Sequence, residues 1–234
     1  LFIISQKADE VAENKKNSNV LILAVALPMF LAVVGVIILA VFSKNVQEQP
    51  ATISDDTTPT ANSDGVSVYD PPKTIQDFTM PASTGETVSL SDFRGKLVLI
   101  SFGYTRCPDV CPVNMLEFRQ VKQFLAERAD NVVFLFVSVD GERDNPDLLR
   151  DYLARYDPSF IGLSGTDTEL NPIKDDYGLY YARIENPRAP NDYMVDHTAS
   201  RFLVDGEGRL IRVYSFTTDA RAMARDIVRV LVNE

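Results

Sequence analysis

The side chains able to do chemistry in this 234-residue chain are few. There are two cysteines, Cys107 and Cys111, and one histidine, His197. The cysteines stand in Cys107-Pro108-Asp109-Val110-Cys111-Pro112, a local unit rather than a framework of cross-links. Thiolates are both metal ligands and nucleophiles, so the pair suits metal binding or thiol–disulfide exchange. A structural zinc site takes four Cys and His ligands, and the chain has three such groups. Two thiolates with one imidazole form a trigonal set that favours copper, Cu(I) above all, and leaves a position open for handing the ion on. That reading needs His197 to reach the cysteines. The plainer alternatives are a structural disulfide between Cys107 and Cys111, and a histidine engaged only in a surface hydrogen bond.

The prolines set the expected local geometry. Proline is accepted in the first turn of a helix and keeps the residue ahead of it out of helical geometry. The pair is therefore expected in a tight loop, with a helix starting at Pro112 and Cys111 close to its N-terminus. The helix dipole there, and Arg106 beside Cys107, favour thiolates, so both thiols are expected to be more acidic than a free cysteine. Near His197, Asp196 reads as a solvated turn residue rather than a partner of the imidazole, and Met194 as core rather than a ligand. The run Asp140-Gly141-Glu142-Arg143-Asp144 reads either as a solvated turn with an internal ion pair or as part of a docking face.

The flanking patterns predict what must position these residues. Leu97–Phe102 and Val132–Val139 are continuous apolar runs, expected as buried, parallel inner strands. Cys107 follows the first, at the carboxyl edge of the sheet where α/β sites form. Leu116, Val121, Phe124 and Leu125 recur at helical spacing and predict a helix over 112–129. A second helix is expected over 147–156, with Asn145 as N-cap and Pro146 at its first position. A short strand over 160–163 and a short helix over 167–177 follow. Around Gly206-Glu207-Gly208, residues 199–204 and 210–214 read as an antiparallel hairpin. A closing helix is expected over 218–232, with Ala222, Ile227, Val230 and Leu231 on its apolar side against Arg221, Arg225 and Arg229. Ahead of the first inner strand, 75–80 and 86–90 read as a small hairpin. The order is that of an α/β fold with a central mixed sheet.

Residues 1–19 are polar. Residues 20–42 are 23 consecutive residues without a charge, enough to cross a hydrocarbon core of ~30 Å as a helix. They are read as a transmembrane anchor. Lys7, Lys15 and Lys16 precede it and Lys44 alone follows closely, which puts the N-terminus in the cytoplasm or mitochondrial matrix and the rest on the extracytoplasmic side. Residues 43–72, rich in Ser, Thr, Asp, Asn and Pro, read as a flexible linker, and residues 73–234 as the folded domain. The formal net charge of −10 argues against a nucleic-acid partner, which asks for a basic face. There is no glycine-rich phosphate loop, internal repeat or heptad pattern.

Phe102-Gly103-Tyr104-Thr105-Arg106-Cys107-Pro108-Asp109-Val110-Cys111-Pro112, then Ser138-Val139-Asp140 with Arg143-Asp144, then Val195-Asp196-His197-Thr198, closely resemble the Sco/SenC family over the whole domain. The resemblance implies a thioredoxin-like fold and a membrane-anchored copper chaperone. It implies Cys107, Cys111 and His197 as ligands for copper, Cu(I) and also Cu(II). It implies cytochrome c oxidase subunit II, with its dinuclear copper site, as recipient, and an upstream copper donor. Arg106 stands where many members carry another residue, often His, and Gly141 where the pattern has proline. Neither change removes a ligand. The rival reading within the same fold is a thiol–disulfide oxidoreductase in which Cys107 attacks and Cys111 resolves. Against it, the chain lacks the Trp-Cys-x-x-Cys pattern of thioredoxin-type enzymes. A peroxidase is weaker still, resting on Thr105 alone. On this reading the chain is a metallochaperone before it is an enzyme.

Overall fold

A computed structural model describes residues 59–61, 64–186, 188 and 192–233. The apolar stretch 20–42, read as an anchor, and most of the expected linker lie outside the described residues.

The strands are β1 (Thr60–Ala61), β2 (Val66–Thr74), β3 (Thr79–Pro81), β4 (Thr87–Ser89), β5 (Leu97–Gly103), β6 (Val132–Ser138), β7 (Ile161–Ser164), β8 (Tyr181–Ile184), β9 (Met194–His197), β10 (Arg201–Val204) and β11 (Arg209–Tyr214). The helices are α1 (Val110–Leu125), α2 (Pro146–Leu153), α3 (Asp167–Leu170), α4 (Lys174–Tyr177) and α5 (Ala220–Asn233). Seven strands form one mixed sheet in the order β1-β2-β11-β10-β5-β6-β7. β5, β6 and β7 run parallel and the other pairs antiparallel. Every residue of β5 is buried, which is why its sequence is an unbroken apolar run rather than an alternating one.

Cross-strand register decides which side chains share a face. Arg201 lies opposite both Ser101 and Tyr214, and Ser101 opposite Phe136. This row faces the layer that holds α1 and α5: Asn114 of α1 reaches Ser101, and Asp226 of α5 reaches Tyr214. On the opposite face Phe102 and Phe202 meet Tyr177 of α4 edge-on, with ring centroids 5.2 and 5.3 Å apart. The helix–sheet–helix layering with its sites at the strand ends matches the expected class.

Several elements differ from expectation. The folded domain starts ahead of Lys73, because β2 pairs with β11 from Val66 onward; the 43–72 linker reading fails at that end. Val66 and Val68 alternate at its start, and the prolines Pro71 and Pro72 disguise the rest of the strand. The first helix begins at Val110, so Cys111 lies in its first turn. Pro112 is accepted there because its missing N–H is one that has no intrahelical partner in any case. In that helix Leu116 and Phe124 point outward, and Met115, Phe118, Val121 and Leu125 form the buried side. Asn145 caps α2 as expected, accepting the Leu148 N–H at 2.9 Å.

Candidate metal centre

β5 ends at Gly103, whose carbonyl accepts the Val139 N–H at 2.8 Å. The chain then turns through Tyr104–Arg106, with the Cys107 N–H donating to the Tyr104 carbonyl at 3.2 Å, and Asp109 leads into α1. Cys111 in the first turn is buried, and its Sγ faces back over the end of β5. The absence of a side chain at Gly103 makes the space for it, since a Cβ there would stand 2.6 Å from Cys111 Sγ and 2.8 Å from the Phe136 ring. Backbone N–H groups point at both sulfurs: Tyr104 N–H at Cys111 Sγ and Cys111 N–H at Cys107 Sγ, each at 3.5 Å.

His197 arrives from an element that periodicity did not reveal. β8 and β9 form a separate two-stranded ribbon in which Tyr181 lies opposite His197. The Nδ1 of His197 lies 3.0 Å from the Thr198 carbonyl. A carbonyl oxygen can only accept, so Nδ1 carries the proton and the Nε2 lone pair is directed to the cysteines. Nε2 is 3.3 Å from Cys111 Sγ, and the Tyr104 ring meets the imidazole edge-on at 5.8 Å. The ligand atoms of Cys107, Cys111 and His197 all lie within 4.8 Å of one another. Cys111 is buried while Cys107 and His197 are half-buried, so the cluster is open on one side.

The two thiols are not alike, contrary to expectation. The Cys107 thiol is drawn down to about 3, chiefly by its hydrogen bond with Cys111 and further by backbone N–H groups, against burial, which raises it. The Cys111 thiol is pushed up by the same hydrogen bond, by burial and by the charge on Cys107. Cys107 is thus the more acidic of the two thiols and Cys111 the less acidic.

The 140–144 run is not a solvated turn. Asp140 and Asp144 are buried. Asp144 accepts hydrogen bonds from Thr105 N–H at 2.8 Å, Thr105 Oγ1 at 2.5 Å and Ser138 Oγ at 2.7 Å, which fixes the turn before Cys107 and occupies the hydroxyl that a peroxidase reading would need. Asp140 accepts from Arg143 Nε at 2.5 Å and from the Tyr193 hydroxyl at 2.6 Å. Arg143 also donates to the Tyr193 carbonyl at 2.9 Å and lies 3.5 Å over the Tyr193 ring. This clamp holds the start of β9, and hence His197, against the end of β6. Met194 is exposed rather than core, and Asp196 is exposed as expected.

A thioredoxin-like α/β domain with a Cys-Cys-His cluster at the carboxyl ends of its parallel strands is the class that fold and site define. Within that class the chain belongs to the SCO1/SenC family, whose model matches residues 67–232. Bradyrhizobium japonicum ScoI with copper bound is 35% identical, with a TM-score of 0.61, covering 66% of this chain and 98% of that one. Apo Sco1 from Thermus thermophilus is 36% identical, with a TM-score of 0.60, covering 76% of this chain and 96% of that one. A SCO2-like protein of Rickettsia prowazekii is 30% identical over 60% of this chain and 67% of its own length, and Schizosaccharomyces pombe sco1 is 34% identical over 58% and 53%.

Proposed function

We propose that the chain is a membrane-anchored copper metallochaperone that binds copper through Cys107, Cys111 and His197. The observation that carries this reading is the convergence of two sulfurs and an imidazole nitrogen within 4.8 Å, a soft, three-ligand set suited to Cu(I). Its open side leaves room for an incoming ligand from a recipient, so the ion can pass by ligand exchange. Binding releases the proton carried by Cys111, because both cysteines must ligate as thiolates. Residues 20–42 serve as the anchor, with the domain extracytoplasmic. On the SCO1/SenC family membership, the recipient is the dinuclear copper site of cytochrome c oxidase subunit II.

The test is copper stoichiometry of the full reduced chain in detergent, compared with Cys107→Ser, Cys111→Ser and His197→Ala. One tightly held copper per chain, lost or weakened at least tenfold in each variant, is the expected result. Full binding without His197 would sink the three-ligand reading.

The thiolate character of Cys107 supports a second reading, thiol–disulfide exchange with the recipient's cysteines. Cys107 thiolate would attack one sulfur of the recipient disulfide, and the expelled thiolate would take up a proton. Cys111 would then lose its proton and attack Cys107 Sγ, closing the internal disulfide and releasing the second thiolate. His197→Ala separates the two, since it removes a copper ligand and leaves both exchanging sulfurs in place.

A further inference from the structure

The described structure exposes eight large hydrophobic side chains, and Val113, Leu116 and Phe124 are on one face of α1. Their spacing of three and eight residues keeps them on one stripe, which begins two residues after Cys111. α5 packs beside α1 and adds Arg221, Arg225 and Arg229, one turn apart and all exposed. The Arg221 guanidinium lies 4.7 Å over the Phe124 ring, at the mouth of a shallow groove of about 390 Å³ between the helices. Each helix contains a single acid, and both are engaged elsewhere. Glu117 lies 2.9 Å from buried Arg201, and Asp226 is bound by Arg212 and Tyr214. The face is therefore cationic and apolar, on a chain whose net charge is −10.

We propose that this α1/α5 face docks on an anionic lipid surface. Apolar side chains beside arginines that carry their charge outward are the chemistry of an interfacial face. Arg221 and its neighbours would meet lipid phosphates, while Phe124, Leu116 and Val113 enter the headgroup boundary. A bilayer is within reach on the anchor reading proposed above, on which this inference rests. Residues 43–59 separate the apolar stretch from the first described strand and span at most on the order of 60 Å. Gly65, early in the described domain, lies at the N-terminal end of α5, where its carbonyl accepts from the hydroxyl of Thr218, two residues ahead of α5, at 3.0 Å. Docking in this way brings the first turn of α1, with Cys111, close to the membrane surface.

The chain has no tryptophan, so Phe124→Trp supplies a single reporter. The full chain carrying it would be reconstituted in vesicles of phosphatidylcholine alone or with phosphatidylglycerol, each with a nitroxide on some headgroups. Docking predicts quenched, blue-shifted emission only in the anionic vesicles. High salt should reverse it, as should Arg221→Gln, Arg225→Gln and Arg229→Gln together, which weaken docking about a hundredfold at roughly fivefold per charge. Emission that is the same in both lipids, quenching that survives the triple substitution, or an emission shift that follows protein concentration without lipid would overturn the proposal, the last in favour of a second copy. Alkaline carbonate extraction of the same vesicles tests the anchor separately: release of the chain defeats the anchor reading, while the quenching before extraction still decides the docking.

Discussion

Cys111 Sγ and His197 Nε2 stand 3.3 Å apart although 86 residues separate them in the chain. The helix that starts after β5 delivers the sulfur, and a ribbon outside the main sheet delivers the nitrogen. Each arm of that approach has its own support, and each can be tested.

The unequal acidity of the two thiols gives the cysteines different reactivities. Cys107 is a thiolate throughout the neutral range because its pKa is drawn down to about 3. Its alkylation by iodoacetamide should be nearly flat from pH 5 to 8, where an ordinary thiol near 8.5 gains about tenfold per pH unit. Cys111 should resist. The lowered folded-state value also means that the stability due to Cys107 is fully present above the ordinary thiol range and declines as pH falls towards the folded value. The raised Cys111 value acts in the opposite sense at alkaline pH. Chemical denaturation of the reduced protein should show a maximum near pH 8.5 that Cys107→Ser flattens on its acid side.

Gly103→Ala places a methyl 2.6 Å from Cys111 Sγ and 2.8 Å from the Phe136 ring. Neither neighbour can move far, since Phe136 is buried in β6. The variant should lose about 1–3 kcal/mol of stability by overpacking and bind copper at least tenfold more weakly. Equal copper affinity would show that the sulfur has room to shift.

Asp144→Ala leaves the Thr105 N–H and the Ser138 hydroxyl without their acceptor, at a cost of about 2–3 kcal/mol. Burial raises the Asp144 carboxyl above its ordinary value. A raised carboxyl means that the folded state holds the proton more tightly, so this group's contribution to stability falls as pH rises through that interval. Asp144→Asn should remove that slope and lose less stability than Asp144→Ala, as read from denaturation midpoints between pH 4 and 7.

Arg201 is fully buried, donates to the Thr218 carbonyl at 2.5 Å and reaches Asn114 Oδ1 at 3.4 Å. Its ion pair with Glu117 is close but has no aligned N–H. Arg201→Ala should cost on the order of 3 kcal/mol, since it leaves Glu117 without its counter-charge. Arg201→Met combined with Glu117→Gln should recover most of that loss, because filling a buried ionic site with apolar volume is often neutral. Urea denaturation of the two variants would show whether the pair contributes net stability.

The sequence by itself determined the order of the inner strands and the main helices, the candidate ligand types and the end of the sheet on which Cys107 lies. These are local properties: unbroken apolar runs, proline positions, and the spacing of two thiols. It also contained the Sco/SenC resemblance, which implied His197 as a third copper ligand. Tertiary structure alone decided the rest. The β8–β9 ribbon is only half-buried and its residues alternate weakly, so no periodicity announced the element that holds His197. Leu116 and Phe124 have helical spacing but face outward, because the neighbouring α5 and sheet select Met115, Phe118 and Val121 as the inner side. Asp140 and Asp144 look like a solvated turn until Thr105, Ser138 and Tyr193 are seen to converge on them from distant parts of the chain. The unequal thiols have the same origin: their acidity follows burial and the hydrogen bonds around each sulfur, and neither exists before the chain closes around them.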